Sequence, residues 1–134
     1  HYNLAKDYTV SRFHFREIDR RNDLYKSFSD KTISTSVHDI ESFNELNEDW
    51  EYSFISPVFP SISKKGYGES STILNEIKGR DNHNVKLIAL GGINENNINE
   101  AFESGVDGVA LLGAIWESDQ PLQIFKKCRQ NVLS

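Results

Sequence analysis

With 134 residues, 37% hydrophobic and 26% charged, the chain can bury one packed core and reads as a single domain over residues 1–134. A net charge of −5 argues against a general nucleic-acid or membrane-surface role, and no apolar stretch approaches the ~18 residues of a membrane span. The lone Cys128 excludes an internal disulfide framework, so a reducing, cytoplasmic setting is expected.

In chain order, five short apolar runs read as strands: Arg12–Phe15, Thr32–Val37, 52–58, 85–90 and 106–112. The last two show no polar alternation, as expected of parallel strands covered on both faces. Helical patterns separate them. Asp39 or His38 begins one with Ile40, Phe43 and Leu46 on a face, and a second near 71–78 carries Ile73, Leu74 and Ile77 and stops at Gly79. Asn94 is placed to cap a third, with Ile98, Ala101 and Phe102 at helical spacing and Gly105 just past its end. The last, near 120–132, has Pro121 in its first turn and then Leu122, Ile124, Phe125 and Cys128. Strand and helix alternating in this way predict an α/β fold with a parallel sheet and right-handed crossovers.

Two segments point to anion binding. Residues 86–115 carry Gly91-Gly92 after one strand and Gly113 after the next, which would bare backbone N–H groups at one sheet edge. Tight turns explain the same glycines equally well. The loop 56–68, SPVFPSISKKGYG, leaves a strand at the same edge, and Ser61, Ser63 and Lys64 could offer two hydroxyls and an ammonium to a polyanion. The pairs Lys64-Lys65 and Arg20-Arg21 otherwise read as solvated charges.

Four segments, VSRFHFREID, ISTSVH, FISPVFPSISKKG and IALGGINENNINEAFESGVDGVALLGAI, together resemble the thiamine phosphate synthase/TenI family. The match begins near the fourth strand of that family's (β/α)8 TIM barrel. It implies that this chain holds about the last five βα units, with the first three preceding residue 1. The absence of methionine and the opening His1-Tyr2-Asn3 fit a processed or truncated chain. The resemblance implies a transferase that joins an aminopyrimidine diphosphate to a thiazole phosphate and releases pyrophosphate in thiamine biosynthesis. This stretch alone is expected to be inactive.

By position, the resemblance makes Asp19 a Mg2+ ligand and Ser36, His38 and Lys64 the catalytic set. It makes Ser61, Ser63 and Lys64 the diphosphate grip, and Gly91, Gly92 and Gly113 the thiazole phosphate cradle. The expected partners are small phosphorylated substrates, with neither nucleic acid nor membrane. A homo-oligomer is compatible with exposed strand edges. One departure stands out: the family's Gly-Gln ahead of the aspartate is here Arg16-Glu17.

Two alternatives stay open. In the TenI branch, which isomerises a thiazole carboxylate phosphate, a histidine at the place of His38 is implied as the proton carrier. A non-catalytic phosphate-ligand binder or an inactive fragment is the other. His14 is expected to be packed and hydrogen-bonded near the barrel interior, and His1 and His83 to lie at the surface.

Overall fold

The computed structural model describes residues 4, 5 and 7–133; His1, expected at the surface, lies outside them. Five strands, β1 (Arg12–Phe15), β2 (Thr32–Val37), β3 (Trp50–Ile55), β4 (Lys86–Leu90) and β5 (Gly108–Ala110), form one parallel sheet in sequential order. Helices α1 (Glu17–Arg21), α2 (Ile40–Asn44), α3 (Ile73–Glu76) and α4 (Ile98–Glu103) fill the crossovers, and α5 (Gly113–Trp116) and α6 (Pro121–Leu133) follow β5. Sequential parallel pairing with a helix after each strand is the winding of a (β/α)8 barrel, here with five βα units. No helix among the described residues is long and apolar enough to cross a membrane.

Alternate residues divide the two faces of the sheet. Phe15, Ile33, Val37, Ile55, Leu87 and Ala89 face the helices and are almost fully buried, meeting Phe43, Ile77, Ile98 and Ala101. Trp50 joins them and packs on Phe15 and Tyr25. The other face carries His14, Ser36, Phe54 and Ile88, all more exposed than the residues beneath the helices. The register slips between Ile33 and Ser34 against β3, which lets Trp50 turn inward although Glu51 pairs with Arg12 at 2.8 Å.

Several expected boundaries move. β3 starts at Trp50 and stops at Ile55, because Pro57 has no N–H to continue a ladder. β5 shrinks to three residues. Asp39 does cap α2, accepting from the Ser42 N–H at 2.7 Å; this bond holds its carboxyl below the usual aspartate range despite opposition from burial. Asn94 Oδ1 accepts from the Asn96 and Asn97 N–H groups and its carbonyl from the Ile98 N–H, as a cap does, but a turn intervenes and α4 begins only after Asn97, which makes no side-chain cap bond. In α6, Cys128 is buried and Ile124 partly so, but Leu122 and Phe125 face outward.

The N-terminal ends of β4 and β5 are tied by a polar cluster. Arg80 donates to the carbonyls of Asn82 (2.9 Å), Gly105 (3.0 Å) and Val85 (3.1 Å), and to Asp107 Oδ2 at 2.7 Å. Its guanidinium lies over the Phe43 ring. Burial alone would raise the Asp107 pKa, yet Arg80 and the Leu87 N–H bring it below the ordinary value. Buried Asn82 donates to Phe43 O and Leu46 O and accepts from Asn84 and Val85. His83 beside it is exposed, as expected.

Candidate functional site

Parallel strands deliver their carboxyl ends to one rim. Ser36 and His38 leave β2 there, Ser56 leaves β3, Gly91 and Gly92 leave β4, and Gly113 follows β5. The segment after Ser56 lies along this rim, with Val58 N–H donating to Leu90 O and Phe59 N–H to Gly91 O, both at 3.1 Å.

Two glycines set how closely that segment can approach. A Cβ on Gly92, which sits at φ +66°, would strike Pro60 O and the Phe59 carbonyl carbon. A Cβ on Gly113 would lie 2.8 Å from Ile62 Cβ. Both positions are thus occupied by the loop itself. Their immediate task is to seat residues 57–63, and that seating carries Ser61, Ser63 and Lys64 over the ends of β4 and β5.

The result is a cavity of about 290 Å3 lined by Ser61, Ser63, Lys64, Gly91, Gly92 and Gly113, with His38 and Ser56 on its wall. Ser61 Oγ accepts from the Lys64 N–H at 2.9 Å, so its own hydroxyl hydrogen can still be donated to a ligand. The Lys64 ammonium lies 5.6 Å from the Tyr67 ring centroid, a cation–π contact that restrains a flexible side chain beside the cavity.

A second cavity, of about 520 Å3, lies between α1 and the end of β2 and is lined by Arg16, Glu17, Ile18, Arg21 and Ser36. His38 and Ser56 line this cavity too, so the two adjoin. His38 Nδ1 lies 2.9 Å from Ser56 O. A carbonyl only accepts, so Nδ1 carries a hydrogen, and in the neutral ring Nε2 is the acceptor.

Ser36 is held from two directions. Its hydroxyl lies 3.1 Å from His14 Nε2, while His14 Nδ1 lies 3.0 Å from Ser34 Oγ. Partial burial lowers the His14 pKa, which favours the neutral ring. His14 is hydrogen-bonded as expected, although it stays exposed on the open face of the sheet. From the other side, Arg20 donates to Ser36 O at 2.7 Å and Thr35 Oγ1 at 2.8 Å. Arg20 is therefore not the solvated charge its position beside Arg21 suggested. No local signal marked it, because the contact depends on α1 lying against β2.

Asp19 is buried and lines neither cavity. Its Oδ2 accepts from Arg16 Nε at 3.0 Å. Among the described residues, no group of three or more His, Cys, Asp or Glu is close enough to hold a metal ion. One carboxylate already matched by a guanidinium does not fit the magnesium site that the family resemblance implies. Ser36, His38, Lys64, Ser61, Ser63 and the three glycines thus gather around two adjoining cavities, and Asp19 stands behind the wall of one.

The thiamine monophosphate synthase family matches residues 1–115. A thiamine-phosphate synthase from Listeria monocytogenes is 34% identical over 101 residues, 72% of this chain and 47% of that protein. One from Clostridium tetani is 37% identical over 89 residues, 64% of this chain and 41% of that protein. A thiamine phosphate pyrophosphorylase structure from Pyrococcus furiosus superposes with a TM-score of 0.70 at 19% identity, covering 99% of this chain and 64% of the other, which shows a shared fold. The chain spans about half the length of the curated relatives it matches. With the family match running over most of the chain, this protein belongs to the thiamine monophosphate synthase family.

Proposed function

We propose that residues 1–134 form a single domain contributing one wall of a thiamine phosphate synthase active site. In that reading the protein joins an aminopyrimidine diphosphate to a thiazole phosphate, inactive without the rest of the barrel and working in the cytoplasm, where the buried Cys128 stays reduced. The observation that carries this is the pair of adjoining cavities with His38 and Ser56 as a common wall. A reaction that joins two molecules needs two compartments that meet where the new bond forms.

Lys64, Ser61 and Ser63 hold the diphosphate, one as a point charge and two as hydroxyl donors. The C–O bond between the pyrimidine methylene and the diphosphate breaks, and the electron pair leaves with pyrophosphate. The thiazole nitrogen lone pair then forms the new C–N bond to the methylene carbon. Charge grows on the departing oxygen, so donors aimed at that oxygen stabilise the transition state more than the ground state. The Ser36 hydroxyl, oriented by His14 and by the backbone bond from Arg20, faces the compartment assigned to the pyrimidine. No step depends on a divalent ion held by the described residues.

One observation favours a second reading, thiazole tautomerase: the His38 tautomer leaves Nε2 as a proton acceptor on the wall of the phosphate cavity. Supplying the complete barrel that contains this chain with both phosphorylated substrates and following pyrophosphate separates the two. The synthase reading expects pyrophosphate release that Lys64→Ala sharply reduces. Absence of release, with isomerisation of a thiazole carboxylate phosphate that depends on His38 and not on Lys64, replaces it with the tautomerase.

A further inference from the structure

Asp19 and Arg16 form an ion pair whose two ends lie in different environments. The Asp19 carboxylate is 13% exposed, whereas the Arg16 side chain is 76% exposed and lines the larger cavity with Ser36 and His38. A carboxylate that deep requires a positive partner, and Arg16 Nε supplies one to Oδ2 at 3.0 Å. A divalent ion seeking that oxygen would first have to displace the guanidinium. Arg21 on the same wall is matched by Glu17. Arg16 differs because its partner lies behind the wall, which leaves the charged group itself at the cavity surface. A guanidinium presents a planar fork of N–H donors, a shape suited to two oxygens of a phosphate.

We propose that Arg16 is a built-in cation of the diphosphate subsite, standing where a divalent metal would otherwise meet Asp19 and contacting the diphosphate directly. The protein then binds pyrophosphate without metal. This rests on the reading that a diphosphate lies beside Ser61, Ser63 and Lys64 at the boundary of the two cavities.

The test is calorimetric titration of the protein with inorganic pyrophosphate and, separately, with inorganic phosphate, in EDTA and in magnesium. Wild type is expected to bind pyrophosphate in EDTA. Arg16→Gln should weaken that binding at least roughly tenfold, with Arg16→Lys between the two, while phosphate binding at the glycine rim stays unchanged and reports an intact fold. Manganese relaxation, measured without any anion, gives a second readout. Wild type should bind Mn2+ weakly, Arg16→Gln should bind it more tightly, and Arg16→Gln/Asp19→Asn should lose that gain. Pyrophosphate binding that needs magnesium in wild type, or is indifferent to Arg16→Gln in EDTA, overturns the proposal and leaves the anion-site reading standing. Failure of wild type to bind either anion under either condition overturns both.

Discussion

The two ends of the same strands use polar side chains in opposite ways. At the N-terminal end, Arg80, Asn82 and Asp107 turn on one another and on backbone carbonyls, and Arg80 keeps only 8% of its side chain exposed. At the C-terminal end, Lys64, Arg16, Arg21 and Ser36 border open cavities. The first arrangement stabilises the fold because each side-chain nitrogen of Arg80 and Asn82 has found an acceptor within the chain. The second retains donors for a ligand. A charge at the lower end should therefore register in unfolding, and one at the upper end in binding.

Arg80→Ala should break that contrast most severely. It removes four hydrogen bonds and leaves Asp107 without its cation, for a loss of about 3 kcal/mol in denaturant unfolding. Anion affinity of the folded fraction should hold. A change under about 1 kcal/mol would mean that the lower cluster is ornamental.

Gly92→Ala crosses the divide, because the rim's shape is itself a matter of backbone stability. Forcing a side chain to φ +66° against the loop should cost roughly 2 kcal/mol and displace Ser61–Lys64 as well, so unfolding and phosphate binding should weaken together. Loss of stability with unchanged phosphate affinity would separate the glycines from the cavity.

Lys64→Ala is the converse of Arg80→Ala. Phosphate or pyrophosphate affinity should fall about tenfold, ~1.4 kcal/mol, while unfolding stays within about 0.5 kcal/mol of wild type. Equal losses in both measurements would return Lys64 to a structural role.

The smallest effect concerns acid. The folded Asp107 pKa lies below its unfolded value, so the folded state takes up its proton later as pH falls. Stability from this group is fully present above about pH 4 and declines as pH drops through the folded value. Asp107→Asn should cost about 1 kcal/mol at neutral pH, and that deficit should shrink on acidification. A deficit constant with pH would remove charge from the explanation.

Much of this architecture could be read from the chain because it follows from local rules. β1 and β2 begin and end where the apolar runs do, and Asp39 caps its helix through the bond its side chain favours. The glycine rim was legible because glycines after two adjacent parallel strands share an edge, although their direct task is to admit the loop. The arginines were not legible. Whether Arg20 is solvated or reaches Ser36 O depends on how α1 lies against β2, which no short-range pattern encodes. Arg16 could be recognised as out of place, but its capture of Asp19 needed coordinates. Asn94 bonds the N–H groups that a cap would, but α4 starts later than its position implied because a turn over residues 95–97 intervenes.

The seating of the loop on Gly92 and Gly113 has an evolutionary corollary. Since its path is dictated by what the underlying positions lack, point changes at residues 61–64 can swap hydroxyl, ammonium or methyl groups without redrawing the trace. Chemistry at this mouth can diversify by substitution, whereas insertions and deletions there would unseat the whole strap.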